Sequence, residues 1–140
     1  MTTIDAGLRA HLAAAGQVTA IVPPERITCG GDVPEGEPFP AITILTSSIP
    51  EVDMGGPTGL VRTEAEVDVL ALDVPGESAV ALAKRIATAV VGVLHCYRGR
   101  WGEHVIKGVF LEEQEDTPPD PETGLFGVSL QFIVWHRPVP

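Results

Sequence analysis

Leu60 to Leu72 read LVRTEAEVDVLAL, and the alternation in this run decides the fold. Val61, Thr63, Ala65, Val67, Val69 and Ala71 fall on one face of a strand, and Arg62, Glu64, Glu66 and Asp68 on the other, because successive side chains point to opposite sides. At 13 residues the run exceeds the usual strand length of roughly 5 to 6. It is expected to pass the edge of its own core. One apolar and one charged face predict a sheet covered on one side, with the other side facing water or another subunit.

Upstream, the turn Met54-Gly55-Gly56-Pro57-Thr58-Gly59 leads into this strand, and Ala41 to Ser47 (AITILTS) is β-branched and apolar, a second strand. Ser48 to Gly59 reads as a polar connection, so the two strands form a long hairpin whose tip carries Glu51, Asp53, Met54 and Pro57. Residues 3 to 15 place Ile4, Leu8, Leu12 and Ala15 at helical spacing, with Thr2 or Thr3 as N-cap and Gly16 as stop. A further turn or two spans Gln17 to Val22 and ends at Pro23-Pro24. Arg26 to Cys29 is a short extended segment, and Gly30 to Pro40, dense in Gly and Pro, a loop.

Downstream, Pro75-Gly76 breaks the strand and Glu77 to Leu94 is the main helix. Its stripe is Ala79, Leu82, Ala83, Ile86, Val90, Val93 and Leu94, and its many alanines allow close approach to a sheet. Tyr97 to Glu103 reads as a turn, Val105 to Glu112 as a strand, and Glu113 to Thr123 as an acidic, proline-rich loop. In the last strand Phe126, Val128, Leu130, Phe132 and Val134 alternate with Gly127, Ser129, Gln131, Ile133 and Trp135, the first set facing the helix. The predicted fold is α+β: a mainly antiparallel sheet of about four strands with a long hairpin, and one main helix and an N-terminal helix packed on one face.

The 140 residues suit a single domain spanning 1–140, and 44% hydrophobic residues with a mean hydropathy of +0.21 argue against a disordered chain. No apolar run approaches the roughly 20 residues of a membrane helix, and no basic segment followed by an apolar one opens the chain, so a soluble, non-secreted protein is expected. A formal charge of −10 opposes tight contact with phosphates, since affinity for nucleic acid comes mainly from Lys and Arg. Cys29 and Cys96 stand far apart and outside any CxxC pattern, which predicts two reduced thiols.

The residues give no catalytic constellation. The glycine turn lacks the lysine of a phosphate loop and precedes a strand instead of a helix. His11, His95, His104 and His136 are scattered without metal-ligand spacing. His95 adjoins Cys96, but neighbours in a helix diverge by about 100°, and His95 reads as a dipole-stabilised cation or solvated cap at a helix end. Glu64, Glu66 and Asp68 form a solvated row, and the acids from Glu112 to Glu122 a solvated loop. Trp101 and Trp135 fit either a subunit interface or closure of the core.

Gly56-Pro57-Thr58-Gly59-Leu60-Val61-Arg62 leads into an alternating strand followed by an alanine-rich helix. Asp120-Pro121-Glu122-Thr123-Gly124-Leu125-Phe126 then leads into Leu130-Gln131-Phe132-Ile133-Val134-Trp135. This combination resembles the tail-completion, or tail-terminator, proteins of long-tailed bacteriophages and related particles, over nearly the whole chain. The resemblance implies a non-enzymatic virion protein at the tail-neck junction, assembled in the host cytoplasm. It implies a ring, commonly a hexamer, that caps the tail tube, binds the major tail tube protein and presents a surface to the head connector or stopper. It implies no cofactor, metal or membrane, and DNA that passes through the lumen without specific binding. Candidate interface or lumen residues are Glu51, Asp53, Met54, Glu64, Glu66, Asp68, Glu115, Asp116 and Trp135. The alternatives are a head-side neck protein, such as a stopper or adaptor, and a small ligand-binding module with an apolar pocket.

Overall fold

A computed structural model describes residues 3–30 and 38–139. At its centre, strand β3 (Gly56–Ala71) buries Thr63, Ala65, Val67, Val69 and Ala71 and leaves the intervening side chains at least partly in water. β2 (Ala41–Asp53) and β6 (Phe126–Pro138) flank it in antiparallel register, with Ile44 and Leu130 both opposite Val67. These three strands supply apolar side chains to one face of the sheet.

Helix α3 (Ala79–Leu94) covers that face. Its start is fixed by two side chains: Ser78 Oγ accepts the Ala81 N–H at 3.1 Å, and Asp73 Oδ1 accepts the Ala79 N–H at 2.7 Å. These bonds satisfy donors that the first turn otherwise leaves unpaired, which is why the helix begins at Ala79 and not at Glu77. Ala79, Leu82, Ala83, Ile86, Ala87, Val90 and Leu94 are buried along its inner stripe. α1 (Ile4–Ala13), capped by Thr3, buries Leu8 and Leu12 in the same core, and the one-turn α2 (Gly16–Thr19) adds Val18. The α+β class with helices on one face agrees with the sequence.

The strand count does not. The sheet has six strands in the order β1-β2-β3-β6-β5-β4, where about four were expected. β1 (Ile27–Cys29), after a single 3-10 turn at Pro24–Arg26, pairs parallel to β2. β4 (Gly99–Trp101) lies inside the segment read as a turn and pairs with the start of β5 (His104–Thr117). β1 falls in the segment read as extended, Arg26 to Cys29, though not counted in the sheet, whereas β4, with three residues, is too short to display a period. β4 exists because its end is anchored: Trp101, 4% exposed, stacks on Tyr97 with centroids 5.7 Å apart and meets the His11 ring of α1 at 5.5 Å. Trp101 therefore closes the core.

Both expected polar loops are strand for much of their length. β2 continues to Asp53 and β3 begins at Gly56, so only Met54 and Gly55 form the turn. β5 continues to Thr117, with bulges after Ile106 and Leu111. The ladder is a backbone matter, and polar side chains extend it where both faces meet water. Pro50 is tolerated because, among the described residues, no strand pairs with the outer side of β2 past Ile44, and the register shifts after Pro50. The Gly- and Pro-rich loop at residues 30–40 lies largely in 31–37, outside the described residues.

One buried polar chain ties the sheet together. His136, 4% exposed, places Nε2 2.7 Å from Thr63 Oγ1, which lies 2.7 Å from Ser48 Oγ. Burial, then the neighbouring His104, pull the His136 pKa from 6.5 down to about 4. The folded protein thus holds this proton less tightly than the unfolded chain. Stability is complete above pH 6.5 and falls as pH drops towards 4, by on the order of 3 kcal/mol. Urea unfolding at pH 7, 5 and 4 should show this acid limb, and His136→Gln, which cannot charge, should flatten it. Equal acid sensitivity in both proteins would contradict the assignment.

Candidate functional site

The face of the sheet turned away from the helices carries the exposed chemistry. Residues opposite one another in a ladder share a face, which sets out its rows. Leu45, Glu66, Gln131 and Glu113 form one row across β2, β3, β6 and β5, and Thr43, Asp68, Ser129 and Glu115 the next. Ser47, Glu64, Ile133 and Phe110 follow on the other side, then Ile49, Arg62, Trp135 and Gly108.

Five carboxylates, Glu64, Glu66, Asp68, Glu113 and Glu115, therefore share one open surface. Glu66 is fixed: its Oε1 accepts from Ser129 Oγ and from Gln131 Nε2, both at 3.1 Å. Partial burial pushes the Asp68 carboxyl above the ordinary carboxylate range against the opposing hydrogen bond of Ser129, and the negative Glu66 pushes it the same way. Glu64 pairs with Arg62 at 3.0 Å in an exposed contact of small energetic consequence. Two open depressions, about 230 and 310 Å³, flank Glu64 and Gln131. Beside the acids runs an apolar band. Phe110, 44% exposed, lies over Gly108, where a β-carbon would come within 2.7 Å of its ring, and Trp135 sits opposite that glycine.

Glu64, Glu66, Asp68, Glu115 and Trp135, chosen from sequence, thus come together. Asp116 does not join them: it is on the other side of β5 and pairs with Lys84 of α3 at 3.0 Å, because β5 still alternates where a loop was expected. Glu51 and Met54 lie far along the β2–β3 hairpin, and Asp53 ends β2 with its side chain outside the described ones. Glu113 belongs to the site through its register with Gln131. Plain alternation from Phe110 would have put Glu113 on the core side, and the bulge after Leu111 brings it to the open face.

The histidines hold structural posts. His95 caps α3, and its Nδ1 accepts the Leu111 N–H at 3.0 Å while Cys96 N–H donates to Val109 O, so the pair covers the outer edge of β5. His95 is thus an exposed cap at the helix end, as one of the two expected readings had it, with an added contact to the edge of β5. Cys29 and Cys96 are free and exposed. Among the described residues no group of three or more His, Cys, Asp or Glu is placed to hold a metal, and no helix is long and apolar enough to cross a membrane.

Residues 6–137 match the model of the family described as tail completion protein gp17. No curated protein matches the chain. Among solved structures, a chain in the virion of a native gene transfer agent particle has the same fold, with a TM-score of 0.73 over 96% of this chain and 94% of that one, at 15% identity.

Proposed function

This chain belongs to the family of tail completion protein gp17, and from that premise we propose that it forms a ring, of six copies, which caps the tail tube and joins it to the head connector. It acts as a structural component of the particle, without catalysis. The observation that carries this reading is the β2–β3 arm. Beyond the Val61 and His136 pair, towards the tip, β3 pairs only with β2, and among the described residues no strand pairs with the outer side of β2 past Ile44. A lone two-stranded hairpin is marginal in water, and Met54 is fully exposed at the tip of this one. Such an arm gains order by docking, on the tube or on the next subunit.

The open face supplies the channel. Glu64, Glu66 and Asp68 line the lumen in this reading, with Glu51 and Asp53 at its mouth, and six copies at −10 each carry −60. Repulsion of that sign keeps DNA from adhering as it passes. Glu64→Lys with Glu66→Lys should slow DNA release from assembled particles severalfold, and unchanged release kinetics would remove the lumen assignment. For the ring itself, particles made without the chain should accumulate unjoined heads and tails that added protein rescues. Joined particles in its absence would overturn the reading.

A further inference from the structure

The long axis of the sheet is electrically polar. At one end, Arg100 of β4, opposite Val105 and so in line with Arg137 of β6, stands with Arg98 and Lys107, all four exposed. No ion pair among the described residues engages any of them. The β2–β3 arm leaves the sheet at this same end, past the Val61 and His136 pair. Towards the opposite end, β5 and the turn into β6 expose Glu115, Asp120 and Glu122, with Glu112 midway along β5. That turn is preorganised: Asp120 Oδ1 accepts the Glu122 N–H at 2.8 Å, and the Gly124 N–H reaches Asp120 O at 2.8 Å.

On β5 the nearest of these opposite charges, Lys107 and Glu112, stand five residues apart, about 17 Å at the usual rise per residue. Salt screens exposed charges beyond about 8 to 10 Å, so neither end neutralises the other within one chain. Acids crowd the free edge of β5 at Glu112, Glu113 and Glu115, which disfavours edge-to-edge strand pairing there.

We propose that the basic end of one copy, carrying Arg98, Arg100, Lys107 and Arg137, docks on the acidic turn end of the next copy, so that subunits join head to tail through complementary charge. The proposal rests on the ring reading and supplies its contact. A head-to-tail contact uses two different patches and closes into a ring when the rotation permits. The arm, projecting beside the basic end, reaches onto the same neighbour, and Glu64, Glu66 and Asp68 stay clear for the lumen.

The test uses two charge-reversed variants of the full chain. One carries Arg98→Glu, Lys107→Glu and Arg137→Glu, sparing Arg100, whose Nε holds the Gly102 carbonyl. The other carries Glu112→Lys, Glu115→Lys and Glu122→Lys, sparing the Asp120 turn. Sedimentation in 0.1 M salt, alone and with purified tail tubes, should show each variant assembling about tenfold or more weaker than wild type. Their equimolar mixture should restore assemblies larger than a dimer, and 1 M salt should disperse the wild-type ring. Melting temperatures matching wild type keep misfolding out of the comparison. Variants that assemble as wild type does, or a mixture that stops at dimers, would overturn this contact and leave the ring standing. Wild-type protein that stays monomeric even on tubes would overturn the ring itself.

Discussion

Removing residues 51–60 and joining Pro50 to Val61 through Asn-Gly should leave a folded protein that no longer closes tails. Among the side chains described in the excised segment, Met54, Pro57 and Thr58 are exposed and none is buried. Surface changes of this kind shift stability by about 0.5 kcal/mol or less, and Asn-Gly suits the twist of a two-residue hairpin. The Ser48, Thr63 and His136 chain remains in place. The effect should therefore appear wholly in assembly, with particle yield at the level of a deletion of the whole chain. Normal yield from the shortened protein would show that the arm is a passive hairpin.

Phe132→Ala should have the opposite signature, a loss of about 3 to 5 kcal/mol seen in the purified protein. Phe132 is 1% exposed on the helix side of β6, opposite Ala65 on one neighbour and Leu111 on the other. β6 is hydrogen-bonded on both sides, so the backbone has little freedom to close the cavity. Against a total of roughly 5 to 15 kcal/mol, that loss moves the urea midpoint far down. Trp135→Ala, three residues on and on the open face, should cost folding much less. A Phe132→Ala protein of near wild-type stability would mean that the core is not where the register puts it.

The central strand, the main helix and the last strand are legible in the sequence because each buries one side, and burial imposes a period of two or about 3.6 on the side chains. Val61 to Ala71 shows it, as do Ala79 to Leu94 and Phe126 to Val134. Where the chain outruns the core the signal stops while the backbone pairing continues. Ser47 to Pro50 and Glu113 to Thr117 are strand with water on both sides, and their composition is that of loops. The membership of β1 in the sheet and the existence of β4 are hidden for another reason: Ile27 is placed by the core and Trp101 by the His11 and Tyr97 rings, which no local pattern displays. The site follows the same division. The charged face of β3 is readable from alternation, whereas the addition of Glu113, the removal of Asp116 to Lys84 and the basic end at Arg98, Arg100, Lys107 and Arg137 all depend on the register of β5, with its two bulges.

The most direct measurement is electron microscopy of the purified, gold-labelled chain mixed separately with isolated tail tubes and with isolated heads. Label is expected at one end of each tube, as a ring with a central channel, and none on heads lacking tails. Label on heads alone would place the chain on the head side of the neck, and label on neither would contradict the tail-capping role.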